Sequence, residues 1–279
     1  MSYKSLLTVV TREEAAGAPL ASAVTLARRW DAHLHVLCIG IEQIVTDYYF
    51  AGATLAVRQD LLDEAAKAAE ALDRKVRARL GVEDIRWSAE QAVVQPGLLA
   101  TLVALRARFA DLVVMPRPYG PAGDENAVAA LEAALFGGGA PVLVLPDGGL
   151  PEPFPARIVL AWNESAEAMR AARAALPLMK SASQVEIAVV DPDPYGPERS
   201  DPGGALSEML ARHGVRTEIA VLAKTLPRVS DLILRQARET GAGLIVMGAY
   251  GHSRLREAIL GGATRAMLEQ SELPVFLAH

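Results

Sequence analysis

The sequence is poor in several residue types, and each shortage excludes a class of protein. Cys38 is the single cysteine, which excludes an intrachain disulfide and a thiolate metal cluster and predicts a reducing, cytoplasmic setting. Lysine and arginine form no basic run, and a net charge of −5 argues against a nucleic-acid partner. No apolar run approaches a membrane span, and the first one is too short for a signal peptide. We therefore expect a cytoplasmic protein with neither a nucleic-acid nor a membrane partner.

Aromatic residues are also scarce, at 5%, although hydrophobic residues make up 51% of the chain. The core must therefore be built from Ala, Leu, Val and Ile, which favours helices packed on a buried parallel sheet. A length of 279 residues is long for one core and predicts about two domains.

Short apolar runs alternate with amphipathic segments, and the whole pattern occurs twice. The two passes are separated by Pro146–Pro155, which holds four prolines and two glycines and is typical of a linker. The predicted domains are 1–146 and 156–279, with residues 147–155 between them. The strands predicted in the first pass are Leu6–Val10, Leu34–Gly40, a weak one at 85–90, Leu112–Met115 and Pro141–Leu145. Those in the second are Ile158–Trp162, Val185–Val190, Arg216–Leu222, Leu244–Met247 and Pro274–Ala278.

Matching segments support a duplication: DLVVM at 111–115 corresponds to GLIVM at 243–247. The predicted fold class is α/β, with two tandem doubly wound units. Each unit is expected to be a five-stranded parallel sheet with helices on both faces. Ligands of such sheets bind beyond the carboxyl ends of the strands, where the strand order reverses.

The stretch that follows the strand at 244–247 carries two pairs of glycines, Gly248 with Gly251 and Gly261 with Gly262. A glycine-rich turn between a strand and a helix exposes backbone N–H groups that can hold a phosphate. The spacing matches neither GxGxxG nor GxxxxGK[ST]. A second interpretation is that the first pair only turns the chain and the second allows close helix packing. The spacing alone does not separate the two.

The duplicated units, the Gly248-x-x-Gly251-x9-Gly261 spacing and the closing Leu273-Pro274-Val275 strand resemble the universal stress protein family in its tandem form. The resemblance implies an adenine nucleotide alpha hydrolase-like fold. It also implies binding of ATP or another adenine nucleotide, with Mg²⁺ accompanying it. The residues that it assigns to the nucleotide are Asn163, Val190, Gly248, Gly251, His252, Gly261, Gly262 and Thr264.

This sequence departs from the family pattern at several of those positions. Asn163 replaces an aspartate, and Gly262 replaces a hydroxyl residue that Thr264 could supply instead. In the first half Pro116 and Pro118 stand where glycine N–H donors are needed, and proline has none. We therefore predict one nucleotide site per chain, in the second half.

Other chemistry is sparse. His33 and His35 alternate along a predicted strand and share a face, but we expect no metal site there. His252 either donates to a phosphate or caps the turn. No nucleophile elbow or acidic pair accompanies the glycine stretch, so we predict no catalytic residues and no enzyme, with weak ATP hydrolysis left open.

Three functions follow in order of preference. The first is a stress-response protein that binds an adenine nucleotide as a sensor or regulator. The second is a nucleotide-free interaction or chaperone-like scaffold, and the third is a weak nucleotide hydrolase. The two short apolar strands Pro141–Leu145 and Pro274–Ala278 are edge candidates. We expect the two halves to cover these edges as an intrachain pseudo-dimer, and the chain to form a homodimer through other surfaces.

Overall fold

The structure is a computed structural model that describes residues 2–42, 55–119, 125–193, 195, 200–249 and 262–279. The chain divides into two compact units, Ser2–Ala140 and Pro141–His279. The division falls before the strand at 142–145, whereas the proline-rich stretch predicted as a linker follows that strand.

The first unit is a four-stranded parallel sheet in the order β3-β2-β1-β4. Its elements are β1 (Ser5–Val10), a 3-10 turn (Glu13–Ala16), α1 (Ala18–Trp30), β2 (His33–Ile41), α2 (Leu55–Leu80), β3 (Arg86–Val94), α3 (Pro96–Ala107), β4 (Leu112–Pro116) and α4 (Glu125–Glu132), which ends in a π-helical turn (Ala133–Gly137).

Helix α2 packs on β2 and β3 through the face that its periodicity predicts. Ala69, Val76 and Leu80 on that face are fully buried. The contact is close because Gly40 of β2 lies under the helix. A Cβ atom at Gly40 would come within 1.9 Å of the Ala65 carbonyl oxygen. This position therefore accepts only glycine without movement of the helix.

The second unit contains six strands in the order β5-β10-β9-β6-β7-β8. Its elements are β5 (Val142–Leu145), β6 (Arg157–Trp162), α5 (Ala166–Ala174), α6 (Leu176–Met179), β7 (Gln184–Val190), α7 (Gly204–Arg212), β8 (Thr217–Leu222), α8 (Val229–Glu239), β9 (Leu244–Gly248), α9 (Gly262–Gln270) and β10 (Val275–Ala278). All neighbours in this sheet are parallel except β5 and β10.

The predicted α/β class, with parallel-dominated sheets covered by helices, is confirmed. The expected five strands in each unit are corrected to four and six, because β5 groups with the second unit. It pairs antiparallel with β10, and Leu143 lies opposite Phe276. The segment between β1 and β2 is divided into a 3-10 turn and α1, which begins beside Pro19. The weak strand at 85–90 is longer than predicted and extends to Val94.

Candidate functional site

Strand order places a crevice at the carboxyl ends of β6 and β9. The chain leaves β6 toward β7 and β8 on one side and returns to form β9 on the other side. Connections that depart in opposite directions leave a gap above the two adjacent strands, which is where open α/β sheets bind ligands. Three of the predicted residues lie at this edge: Asn163 directly after β6, Val190 at the end of β7, and Gly248 at the end of β9.

Asn163 and Val190 are brought together by the register of β6 and β7, in which Trp162 pairs with Val189. Asn163 is exposed and Val190 is half-buried. The residue after each of them has a left-handed backbone, with φ of 60° at Glu164 and 49° at Asp191. Non-glycine residues in this region are strained, and such strain clusters at ligand sites. The chain therefore changes direction directly after two adjacent strand ends.

The amide oxygen of Asn163 already has a local partner. It accepts a hydrogen bond of 3.3 Å from the backbone N–H of Ser165. Ser165 in turn caps α5, because its Oγ accepts from the N–H of Ala168 at 3.1 Å. Asn163 thus forms the turn that starts α5 and presents its amide NH₂ as a donor, whereas an aspartate would present only acceptors.

Gly248 brings the end of β9 against the first turn of α5. A Cβ atom there would lie 2.5 Å from the Ala168 nitrogen and 2.7 Å from the Glu167 carbonyl carbon. The close-packing interpretation of glycine therefore applies at Gly248, where the sequence suggested a turn. The packing also sets the amino terminus of a nine-residue helix at the crevice, where its free N–H groups favour an anion.

Trp162 is the last residue of β6 and directly precedes Asn163. It is 6% exposed, and among the described residues its indole Nε1 has no hydrogen-bond acceptor. A buried N–H without an acceptor is costly. Trp162 is also the single tryptophan of the sequence beyond residue 87, so its fluorescence reports on this edge of the second unit.

The remaining predicted site residues divide into two groups. Gly251, His252 and Gly261 lie outside the described residues. Gly262 is exposed at the first position of α9, and a Cβ atom there would meet no atom of the described residues within 4 Å. Close packing against the described helices therefore does not explain Gly262. Thr264 is 3% exposed in the first turn of the same helix.

The matching edge of the first unit differs as the sequence predicts. Strand β4 ends at Pro116, which has no N–H group to offer. Thr11 follows β1 and is half-buried. The Thr8 side chain, three residues earlier, donates a 2.8 Å hydrogen bond to the Val114 carbonyl and serves the sheet.

His33 and His35 share a face, as predicted, and both contact Ser88 of the neighbouring strand. Sequence reasoning did not find Ser88, although the alternation of Arg86, Ser88 and Glu90 was a usable signal for an edge strand. Over the ranges that the structure covers, no group of three or more His, Cys, Asp or Glu is arranged to hold a metal. Within the same ranges, no helix is both long and apolar enough to cross a membrane.

Cys38 is fully buried in β2. Burial, reinforced by the negative charge of Asp73, raises the pKa of its thiol to about 12. The thiol is therefore protonated at neutral pH and behaves as a small apolar side chain, as the sequence suggested.

Comparison with known proteins gives a consistent result. Residues 156–279 match the model of the universal stress protein family. A universal stress protein of Synechocystis is 29% identical over 72 residues, so the chain spans about a quarter of that relative's length.

Among solved structures, a universal stress protein from Archaeoglobus fulgidus aligns with 98% of this chain and 96% of its own. Its TM-score is 0.71 and its sequence identity 16%. A protein of unknown function from Pseudomonas aeruginosa aligns with 99% of this chain and 92% of its own, at a TM-score of 0.63 and 19% identity. At these identities the likeness is one of fold, and it extends over both units.

Proposed function

We propose that this chain, whose residues 156–279 match the universal stress protein family, binds ATP or a related adenine nucleotide in that domain as a sensor or regulator. The observation that carries the proposal is the convergence of Asn163, Val190 and Gly248 at the reversal of strand order. The left-handed residues beside the first two support it, since such backbone conformations cluster at ligand sites.

Different described residues would contact the base and the phosphates of the nucleotide. The Asn163 NH₂ group and the backbone of the half-buried Val190 would offer hydrogen bonds to the edge of a base. The amino terminus of α5 and the start of α9 at Gly262 offer N–H groups to phosphate oxygens. Gly251, His252 and Gly261 remain predicted phosphate contacts, and Mg²⁺ would neutralise the phosphates in the bound state. We propose binding rather than catalysis at this edge.

The first experiment asks whether nucleotide is bound. The purified protein is denatured and released small molecules are identified, and then the stripped protein is titrated with ATP by calorimetry. We expect about one site per chain, together with a change in Trp162 fluorescence. In the control variant Trp162→Phe the fluorescence change should disappear while a heat of binding remains. Two equivalent sites would contradict the assignment to the second domain.

The second experiment restores, at Asn163 and Gly262, the residue types that the universal stress protein family has there. Gly262→Ser adds a hydroxyl where a side chain meets no neighbour, and Asn163→Asp adds a carboxylate. Each should tighten ATP binding, by up to about tenfold for one charge-assisted hydrogen bond. Gly97→Ser is the matched control for Gly262→Ser, because Gly97 is also exposed near a helix start with no atom within 4 Å of an added Cβ. It should leave ATP binding unchanged.

A second candidate function is a nucleotide-free scaffold. The observation that favours it is the contact between Ser165 N–H and the Asn163 oxygen, which uses an acceptor that a base would otherwise engage. If no nucleotide is released and neither the wild type nor the restored variants give heat with ATP, the scaffold replaces the nucleotide sensor.

A further inference from the structure

A chain of five polar side chains crosses β2, β3 and α3 in the first unit. His33 Nε2 and His35 Nδ1 each lie 2.9 Å from the Ser88 hydroxyl. On its other side, His35 Nε2 lies 3.3 Å from a carboxylate oxygen of Glu90. Arg106 of α3 donates two hydrogen bonds to the same carboxylate, at 2.6 and 2.7 Å. Arg106 thus links α3 to this chain of side chains.

Counting protons gives one consistent arrangement at neutral pH. The Glu90 carboxylate only accepts, so the neutral His35 ring places its proton on Nε2 and leaves Nδ1 bare. The single Ser88 proton is then donated to Nδ1. The Ser88 oxygen in turn accepts from His33 Nε2–H. Donation thus runs in one direction, from His33 through Ser88 to His35, whose Nε2–H faces the Glu90 carboxylate that Arg106 also contacts.

One added proton disrupts this order. The vacant nitrogen of His35 is Nδ1, so the proton binds there and displaces the one donated by Ser88. The Ser88 oxygen then faces two N–H donors, and its own proton must find another acceptor. His35 also becomes a cation that shares Glu90 with Arg106. The Nε2–Glu90 contact is not aligned as a hydrogen bond, so the new cation is incompletely compensated.

The other charged groups on this face of β2 and β3 do not compensate the charge of a protonated His35. Arg86 lies on the same face of β3 but pairs with Asp31, at 2.8 Å. His33 also faces His35, and its electrostatic interaction with His35 disfavours the charged form of that ring. Helix α2 packs on the opposite face, since alternate residues of a strand point to opposite sides and Cys38, close to Asp73 and Arg77, faces that way.

We propose that this chain of side chains is an acid-responsive switch in which protonation of His35 loosens α3 from the edge strand β3. The switch acts through the Arg106–Glu90 pair, because the His35 cation competes with Arg106 for the carboxylate and repels its guanidinium. The moving part is the last turn of α3, which carries Arg106.

The direction of the pH dependence follows from burial. Burial is the main cause that lowers the pKa of His35 below its usual 6.5, against the opposing pull of Glu90. A group whose pKa is lower in the folded state takes up its proton more readily when unfolded. The folded first unit is therefore most stable above pH 6.5, and it loses stability as pH falls from 6.5 toward the lowered pKa.

The test uses the full chain and two measurements. Histidine ring signals, followed by NMR from pH 8 to 5, should assign His35 a pKa below 6.5. Amide hydrogen exchange, corrected for the intrinsic effect of pH, should accelerate in the last turn of α3 on acidification. One proton limits that acceleration to about tenfold per pH unit.

Three variants separate a switch from a purely structural cluster. His35→Gln should remove the acid acceleration, and His213→Gln, at an exposed histidine of the second unit, should leave it unchanged. Ser88→Ala should raise the pKa of His35, because the donor that stabilises its neutral ring is lost. A His35 pKa at or above 6.5, or equal acceleration in His35→Gln and wild type, would overturn the proposal.

Discussion

Replacing Gly248 with alanine tests how β9 meets α5 at the candidate site. The added methyl group would lie 2.5 Å from the Ala168 nitrogen, 2.7 Å from the Glu167 carbonyl carbon and 2.9 Å from the Glu167 Cβ. Two of these atoms are backbone and the third is bonded to it, so no side-chain rotation relieves the overlap. The first turn of α5 must move, or β9 must end earlier.

The structure sets the size of the effect. Forcing a methyl group into a packed contact costs about 1–3 kcal/mol. The Ala168 N–H is also the group that Ser165 caps, at 3.1 Å, and loss of a cap costs about 1 kcal/mol. We expect the free energy of unfolding of the second unit to fall by about 2–4 kcal/mol. Its melting temperature should fall by roughly 4 °C for each kcal/mol of stability that is lost.

Differential scanning calorimetry of the full chain measures this loss, and Gly262→Ala is the matched control. Gly262 belongs to the same glycine stretch, but a Cβ atom there meets nothing within 4 Å. It should change stability by less than about 0.5 kcal/mol. If Gly248→Ala melts like wild type yet fails to bind ATP, then Gly248 serves the phosphate rather than the helix, and the packing account is refuted.

Two further predictions use close contacts of the same kind. Gly40→Ala should prevent folding of the first unit, because its Cβ would lie 1.9 Å from the Ala65 carbonyl oxygen. Circular dichroism and limited proteolysis check this, and a folded first unit would contradict it. Ser165→Ala should lower the free energy of unfolding in urea by about 1 kcal/mol through loss of the α5 cap. Ser165→Asp keeps a capping oxygen and should lower it less, so equal losses in the two variants would rule out the cap.

Most helices and strands can be predicted from local sequence, because burial of one face makes apolar residues recur at a regular spacing. The face of α2 that carries Ala69, Val76 and Leu80 follows from spacings of three and four, and each of these residues is fully buried. The strands of both sheets follow from short apolar runs between turn residues. The edge strand β3 was the weakest prediction, because it lies half-exposed from Arg86 to Val94 and shows no apolar alternation.

Long-range pairing could not be predicted in the same way. The Ser88 contacts require the register of β2 on β3, which places His35 opposite Ser88. The role of Gly248 requires the distance from β9 to α5, which no sequence spacing records. For the candidate site the positions at the strand ends followed from the resemblance to the universal stress protein family, but the bond from Ser165 to Asn163 did not. The sequence signal for that bond was Ser165 itself, a capping residue two positions after Asn163.

Strand β10 determines whether the second unit stays monomeric when β5, which precedes the linker, is removed. Val275, Phe276 and Leu277 are each at most 1% exposed, and β5 covers their outer edge through antiparallel pairs. A fragment 156–279 lacks β5, so its buried strand becomes an open apolar edge, which is a template for association.

We therefore predict that fragment 156–279 self-associates, while fragment 141–279, which keeps β5, does so less. Sedimentation velocity of both at equal concentration decides this. As a control, Leu277→Lys in fragment 156–279 should restore solubility if the fragment still folds, because a charge on an edge strand blocks pairing. Monomers in both fragments would mean that β10 needs no partner. In that case the antiparallel β5–β10 ladder would be a consequence of the chain connection rather than a requirement of the fold.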